Sequence, residues 1–173
     1  LPEQRHSLFF SATMQPVIED IMRTFSRDPV MISVKKAHTS ANIQQKVMKV
    51  LGKDKTEMLH DLLNQTGFEK VLIFGRTKHG VDRLARSLQE RGFQVASIHG
   101  DKTQFQRKRA IDIFKQNQVK VLLATDVAAR GLDIDNVTHV INYDMPQSQE
   151  DYIHRIGRTG RADAKGIAIT FVD

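Results

Sequence analysis

The sequence contains no cysteine, and this absence excludes disulfides, thiolate metal sites and a cysteine nucleophile. It also contains no run of about 18 apolar residues. The N-terminal stretch LPEQRHSLFF lacks the succession of basic, apolar and small residues that marks a signal peptide. We therefore expect no membrane contact and no metal site of this chain's own, and we predict a cytoplasmic location.

The composition is that of a globular protein with a basic balance. The chain has 173 residues, of which 40% are hydrophobic, and it carries a formal net charge of +6. This length can bury a sizeable core, and the abrupt polar start without methionine leads us to expect a piece of a longer protein. The excess of lysine and arginine fits a polyanionic partner, but charge alone leaves nucleic-acid binding open.

From about residue 53 onward, helical and strand-like patterns alternate along the chain. Helical spacing of apolar residues occurs in KTEMLHDLLNQ, GVDRLARSLQERG, QRKRAIDIFKQ and QEDYIHRIG. Short apolar runs predict strands at KVLIF, FQVASI, VKVLLAT, THVINY and GIAITFV. Strands that alternate with helices predict an α/β fold with a parallel sheet and helices on both of its faces.

The first 35 or so residues have a different pattern and predict a separate unit. SLFFSAT and VMISV are typical of strands, and PVIEDIMRTFSRDP predicts a helix bounded by Pro16 and Pro29. The polar, aperiodic stretch KKAHTSAN at 35–42 predicts a linker. An alternating pattern resumes in IQQKVMKVL.

Unusual residues follow the predicted strands, at the end where α/β sheets bind ligands. The loop TDVAARGLDI holds Thr125, Asp126, Arg130, Gly131 and Asp133. Its glycine allows a ligand to approach the backbone closely. The alternative is an aspartate that caps a helix and a glycine that ends one, and this loop alone does not decide between the two.

A second candidate lies in HGDKTQFQRKR, which follows FQVASI. Gln104 and Arg107 are three residues apart and share a face near the predicted helix start. The surrounding segment 101–120 is strongly basic, although such charge is often only a solvated helix face. Aromatic residues are few here, so any nucleic acid would be bound through its phosphates rather than by base stacking.

The third candidate is YIHRIGRTGRA at 152–162, where Arg158 and Arg161 are three residues apart and can point the same way. Ion pairs to Glu150 and Asp163 are the alternative, but clustered arginines between glycines favour a phosphate. The chain has no G-x-x-x-x-G-K-[ST] loop and no acidic cluster of Walker B type after a strand. These arginines would therefore complete a phosphate site whose other half lies elsewhere.

Five stretches resemble motifs of the DEAD-box RNA helicases, in family order and spacing. SAT at 11–13, VLIFGRT at 71–77, HGDKTQFQR at 99–107, ATDVAARGLDI at 124–134 and YIHRIGRTGRA at 152–162 are similar to motifs III, IV, IVa, V and VI. The resemblance covers essentially the whole chain, and RTKHG is typical of bacterial members. It implies a C-terminal RecA-like domain at 37–173, preceded at 1–36 by the tail of the N-terminal RecA-like domain.

The resemblance also implies roles for single residues. Arg158 and Arg161 would be arginine fingers on the γ-phosphate of ATP, and His154 would lie in the interdomain cleft. Gly131 and Asp133 would contact the ribose side of the nucleotide, and Arg155 and Asp126 would be internal partners. The expected contacts to the RNA backbone are Thr77, Gly100, Gln104, Arg107 and Thr125, and those that couple the domains are Ser11 and Thr13.

The function implied is ATP-dependent unwinding of short RNA duplexes by closure of two domains over ATP and RNA. Mg²⁺ would be bound by the N-terminal domain, so the 173-residue chain alone is not expected to hydrolyse ATP. A related superfamily 2 enzyme acting on DNA and a module that only binds RNA or protein are the alternatives. Residues 1–36 would pack on the second domain, pair with another copy or be mobile, and we favour self-association.

Overall fold

A computed structural model describes residues 5–11, 14, 16–32, 42–130, 134, 137–160 and 164–173. The chain divides into two units, Leu1–Ala37 and His38–Asp173. The helices are α1 (Pro16–Phe25), α2 (Lys55–Leu63), α3 (Lys78–Glu90), α4 (Gln104–Lys115), α5 (Asp126–Ala129) and α6 (Gln149–Ile156). The strands are β1 (Ile43–Lys49), β2 (Val71–Phe74), β3 (Val95–Ile98), β4 (Val121–Ala124), β5 (His139–Asn142) and β6 (Gly166–Val172).

The first unit contains α1, which confirms the predicted helix that begins at Pro16. The two strands predicted on either side of α1 are wrong for the described residues, because 7–11 and 30–32 form no strand. A strand needs backbone hydrogen bonds from a neighbouring strand, and the described part of this unit contains no strand that could supply them. The predicted linker at 35–42 lies almost entirely outside the described residues.

The second unit is built on one sheet of six parallel strands in the order β1-β6-β5-β2-β4-β3. The prediction of an α/β fold with a parallel sheet is therefore confirmed. The IQQKVMKVL stretch forms the edge strand β1, which pairs with β6 along its whole length. The two central strands are β5 and β2, and β2 pairs in parallel with β4 on one side and β5 on the other.

Helices cover both faces of this sheet, as the sequence predicts. On β2, Val71 and Ile73 pack against apolar residues of α2 and α3, whereas Leu72 and Phe74 pack against α4 and α5. All four side chains are at most 2% exposed. Burial of each contributes roughly 1.5–3 kcal/mol to stability. Because both faces are buried, the central strands are continuous apolar runs rather than alternating ones.

The start of β6 packs tightly against the turn that follows α6. Gly160 in this turn has a φ of 65°, in the left-handed region that favours glycine. Gly166 opens β6 directly against the same turn, where a Cβ atom would clash with Thr159 Oγ1 and lie 2.5 Å from the backbone nitrogen of Gly160. The contact with a backbone atom cannot be relieved by a side-chain rotation.

We expect the Gly166→Ala substitution to lower the free energy of unfolding by about 1–3 kcal/mol, because the added methyl group overpacks this contact. Denaturant unfolding of the chain measures the loss. Gly100→Ala is the matched control, since no heavy atom of the described residues lies within 4 Å of a Cβ there. An equal loss in both variants would contradict the overpacking argument.

Candidate functional site

The C-terminal ends of the parallel strands meet at one edge of the sheet, and this edge gathers the five residues predicted to contact the RNA backbone. Thr77, Gly100 and Thr125 follow β2, β3 and β4, which are neighbours in the sheet. Each of these strands leads into a helix whose N-terminus lies at the same edge. Free N–H groups of a helix N-terminus suit anionic ligands.

Thr77 is the N-cap of α3 rather than a side chain free in a loop. Its backbone is extended, with φ −121° and ψ 152°, and its Oγ1 accepts a hydrogen bond from the Gly80 nitrogen at 3.0 Å. A side-chain cap of this kind stabilises a helix by about 1 kcal/mol. Thr77 remains exposed at the edge of the sheet.

The loop after β3 is held in shape by hydrogen bonds of Arg107. Its Nη2 donates to the Gly100 carbonyl at 3.2 Å and its Nε donates to the Lys102 carbonyl at 3.1 Å. Thr103 and Gln106 form a capping box that begins α4, so Gln104 is the exposed first residue of this helix. The two bonds use two of the five N–H donors of Arg107.

Arg155 joins the end of α6 to the loops after β4 and β5. Its Nε and Nη2 donate to the two carboxylate oxygens of Asp126 at 2.6 and 2.7 Å, which confirms that these residues are internal partners. Its Nη1 donates to Asn142 Oδ1 at 3.2 Å and to the Asp144 carbonyl at 2.7 Å. The guanidinium lies 5.1 Å from the centre of the Phe74 ring. Only 2% of Arg155 is exposed, so its guanidinium is buried, whereas the Asp126 side chain is 25% exposed.

The stretch after β4 forms a short helix, α5, where the sequence predicted a loop. Thr125 is at its N-cap position, is 8% exposed, and makes no capping hydrogen bond with its side chain. The alternative in which Asp126 caps a helix is wrong, because its carboxylate binds Arg155 instead. Tertiary contact with a buried arginine outweighs the local capping preference.

Residues of α6 contact the same edge. Arg130 at the end of α5 forms an ion pair with Asp151, whose carboxylate also accepts a hydrogen bond from Ser148 Oγ at 2.8 Å. The Ser148 bond, with help from Arg130 and against the effect of burial, lowers the pKa of Asp151. Asp151 is therefore ionised at neutral pH and holds α6 against Arg130.

The other described basic residues of the stretch 152–162 lie close to Arg155 in the chain. His154 and Arg158 are half-buried, and the Arg158 nitrogen donates to the Arg155 carbonyl at 3.2 Å. The chain is then anchored by Thr159, whose Oγ1 donates to the Val137 carbonyl. Arg158 is thus placed one short turn after the buried Arg155.

Four predicted site residues lie outside the described residues, namely Thr13, Gly131, Asp133 and Arg161. Ser11 is described and exposed, and it belongs to the first unit. Glu150, offered as an ion-pair partner of the arginines, is half-buried in the first turn of α6, whereas Asp163 lies outside the described residues.

Two residues that shape the site were not identified from the sequence. Asn142 is fully buried and links Arg155 to Thr170 Oγ1, to which its Nδ2 donates at 3.0 Å. Asp144 accepts from the Arg76 nitrogen at 2.8 Å and so joins the ends of β2 and β5. Asn142 is near the end of the apolar run THVINY, and Asp144 follows it. Their place at a strand end was the signal that could have identified them.

Among the residues that the structure describes, no group of three or more histidine, aspartate or glutamate side chains is arranged to hold a metal ion. No helix within the same residues has the length and apolar character needed to cross a membrane.

We expect Asp126→Ala to lower the free energy of unfolding by about 3 kcal/mol, because it leaves the Arg155 guanidinium buried without its carboxylate. Glu57→Ala is the control. It removes a carboxylate whose ion pair with Arg91 is solvent-accessible, and such pairs contribute about 1 kcal/mol or less. Denaturant unfolding compares the two variants. A loss no larger for Asp126→Ala than for Glu57→Ala would show that the network does not hold α5 and α6 together.

Comparison with known proteins supports one family. Residues 54–163 match the helicase conserved C-terminal domain. The chain is 50% identical to the ATP-dependent RNA helicase CshA of Listeria monocytogenes and 48% identical to the DEAD-box ATP-dependent RNA helicase CshA of Geobacillus kaustophilus. Each match covers 99% of this chain but only 33% and 37% of the relative, so the chain spans about a third of their length.

Solved structures agree with the sequence comparison. A DEAD box protein from Methanococcus jannaschii superposes with a TM-score of 0.71 and 42% identity, over 94% of this chain and 44% of that one. The C-terminal domain of the DEAD-box protein Dbp5 gives a TM-score of 0.69 and 40% identity, over 76% and 77% of the two chains. These matches confirm the family that the motifs indicated. The chain belongs to the helicase C-terminal domain family, with the RecA-like fold of the DEAD-box proteins.

Proposed function

We propose that this chain is the C-terminal half of the catalytic core of an ATP-dependent RNA helicase, which unwinds short RNA duplexes by ATP-driven domain closure. Residues 37–173 would form the C-terminal RecA-like domain, and residues 1–36 would be the tail of the N-terminal one. The curated relatives are named as ATP-dependent RNA helicases and are about three times as long as this chain. The remaining length leaves room for the other half of the core.

The observation that carries this proposal is the Arg155 network. It fixes α6 against α5 and the end of β5, and Arg158 follows one turn after the buried Arg155, in the same unit whose sheet edge carries Thr77, Gly100 and Thr125. One unit therefore carries both a half-buried arginine and several exposed helix starts. Such a unit can hold a nucleotide and a polynucleotide at once when a second domain closes on it.

In this proposal the arginines bind ATP. Arg158 and Arg161 act as arginine fingers on the γ-phosphate, because a guanidinium donates a planar pair of hydrogen bonds to phosphate oxygens. Gly131 and Asp133 contact the ribose side of the nucleotide, and His154 lies in the cleft between the domains. Mg²⁺ would neutralise phosphate charge and be bound by the N-terminal domain, since this sequence lacks a Walker-type loop.

RNA would be bound through its phosphate backbone. Thr77 and Gln104 are exposed at the starts of α3 and α4, where free backbone N–H groups can donate to phosphates. Arg107 has N–H donors beyond those bound to the loop, and Gly100 is exposed. Thr125 is the least accessible of the five, so it would act at the rim of the site. Recognition of phosphates predicts little dependence on base sequence.

The first unit would couple ATP to closure through Ser11 and Thr13. Large apolar side chains in this unit are exposed, among them Leu8, Phe10, Val30 and Ile32. In the intact protein the rest of the N-terminal domain would cover them. In the isolated chain they favour association with another copy.

We expect Arg161→Ala in the full-length parent protein to leave RNA binding nearly intact and to lower ATP turnover by about 10³-fold or more, because an arginine finger stabilises charge in the transition state. The measurement is the ATPase rate with RNA, with DNA and without nucleic acid. Arg86→Ala is the control, since Arg86 is exposed on α3 and far along the helix from the site.

The outcomes separate the competing functions. Stimulation by RNA that is lost in Arg161→Ala and kept in Arg86→Ala supports the helicase. Equal stimulation by DNA would indicate another branch of superfamily 2, and no ATPase activity in the parent protein would leave a binding module. Unchanged turnover in Arg161→Ala would refute the finger assignment.

We also expect the purified 173-residue chain to hydrolyse no ATP at a meaningful rate, with or without RNA. The physical reason is that the loop that cradles the β- and γ-phosphates is absent from this sequence. A phosphate-release assay on the chain, run beside the full-length protein, measures this. Robust turnover by the chain alone would overturn the division of the site between two domains.

A further inference from the structure

Three polar contacts join α3 to the loop that follows β3. His99 Nε2 lies 2.9 Å from Asp82 Oδ1, and Lys102 Nζ lies 3.4 Å from the same oxygen. Lys78 Nζ lies 2.9 Å from Asp101 Oδ1. The loop is the one that presents Gly100, and α3 is the helix that Thr77 caps. The contacts therefore connect two of the places proposed to bind the RNA backbone.

The bond between His99 and Asp82 differs from the other two in its burial. The His99 side chain is 3% exposed, compared with 31% for Lys102, 45% for Lys78 and 56% for Asp101, while the shared Asp82 side chain is 32% exposed. Exposed ion pairs are screened by water and hold side chains weakly. The bond to the buried imidazole is consequently the contact that can best fix the separation between α3 and the loop.

The imidazole of His99 depends entirely on this carboxylate. Its second nitrogen, Nδ1, is buried and has no hydrogen-bond partner among the described residues. A neutral ring with its proton on Nε2 donates to Asp82 and leaves only a lone pair unsatisfied on Nδ1. An apolar side chain would fill the same space without leaving a buried polar atom unsatisfied. We therefore attribute the histidine to its one hydrogen bond, which fixes the orientation of the ring towards Asp82.

The backbone that follows His99 links the position of this side chain to the shape of the loop. The His99 carbonyl accepts from the Lys102 nitrogen at 3.1 Å and closes a turn. Arg107 then holds the carbonyls of Gly100 and Lys102 from α4. The loop is thus held by His99 from inside the fold and by Arg107 from the helix that follows it.

We propose that Asp82 and His99 are positioning residues for RNA binding: their partly buried hydrogen bond holds the α3 start and the 99–103 loop at a fixed separation. Thr77 on one element and Gly100 and Gln104 on the other can then bind phosphates of one strand together. Neither Asp82 nor His99 touches RNA itself. This inference rests on the proposed function.

For the loss of the Asp82 carboxylate, the positioning role and simple electrostatics predict opposite changes in RNA affinity. Loss of a carboxylate from a basic RNA-binding surface should tighten RNA binding, because a repulsive charge is removed. We expect Asp82→Ala in the full-length parent protein to weaken binding of a short single-stranded RNA by about tenfold, since the phosphate contacts lose their alignment. Fluorescence anisotropy with labelled RNA measures affinity, and ATPase rates at saturating RNA should stay within about twofold of the parent.

Two variants serve as controls. Asp82→Asn keeps an oxygen that accepts from His99, so we expect affinity at least equal to that of the parent protein. Glu57→Ala also removes one negative charge, but its partner Arg91 lies at the far end of α3, so affinity should be unchanged or higher. A loss of affinity in Glu57→Ala as large as in Asp82→Ala would overturn the proposal.

A second pair of variants tests the same bond if Asp82→Ala does not fold. His99→Leu fills the buried space without a donor and should weaken RNA binding, whereas His99→Gln retains an N–H that can reach Asp82 and should restore most of it. Normal affinity in His99→Leu or Asp82→Ala would refute the positioning role alone. Absence of RNA binding by the unaltered full-length protein would refute the proposed function as well.

Discussion

The buried guanidinium of Arg155 is the interaction on which the geometry of the site depends. It binds Asp126 after β4, and Asn142 and Asp144 at the end of β5, and so joins three separate stretches of chain. The helix α5 has only four residues, too few to be stable by itself, and it is held by this contact. Removing one partner of such a network leaves a buried charge uncompensated, which is why each member constrains the others.

The parallel sheet explains why the site is where it is. Six strands that run in one direction bring all their C-terminal ends to one edge, and the helices that follow begin there. Residues far apart in sequence, such as Thr77 and Thr125, come to the same edge because β2 and β4 are paired. The polar contacts at this edge then decide which side chains are held in the structure and which remain exposed towards a ligand.

The elements of the second unit were predictable because their signals are local. Buried strands such as VLIF and VLLA are apolar throughout, and amphipathic helices such as α3 bury Val81, Leu84 and Leu88 at helical spacing. For the described residues of the first unit the predicted strands were wrong, because strand formation depends on a partner, which no local pattern supplies. The helix α5 was missed because four residues are too short for any periodicity.

By itself, the sequence determined the α/β order of elements, the parallel sheet, the family and the stretches that carry the site. Within these stretches it could not separate one role from another. Arg155 and Arg158 are three residues apart in a row of similar arginines, yet the first is buried against Asp126 and the second is only half-buried. Likewise, no pattern linked Asp82 to His99, although one hydrogen bond joins them. Only the tertiary structure decided these partners, because a side chain's role depends on which distant residues the fold brings within hydrogen-bonding distance of it.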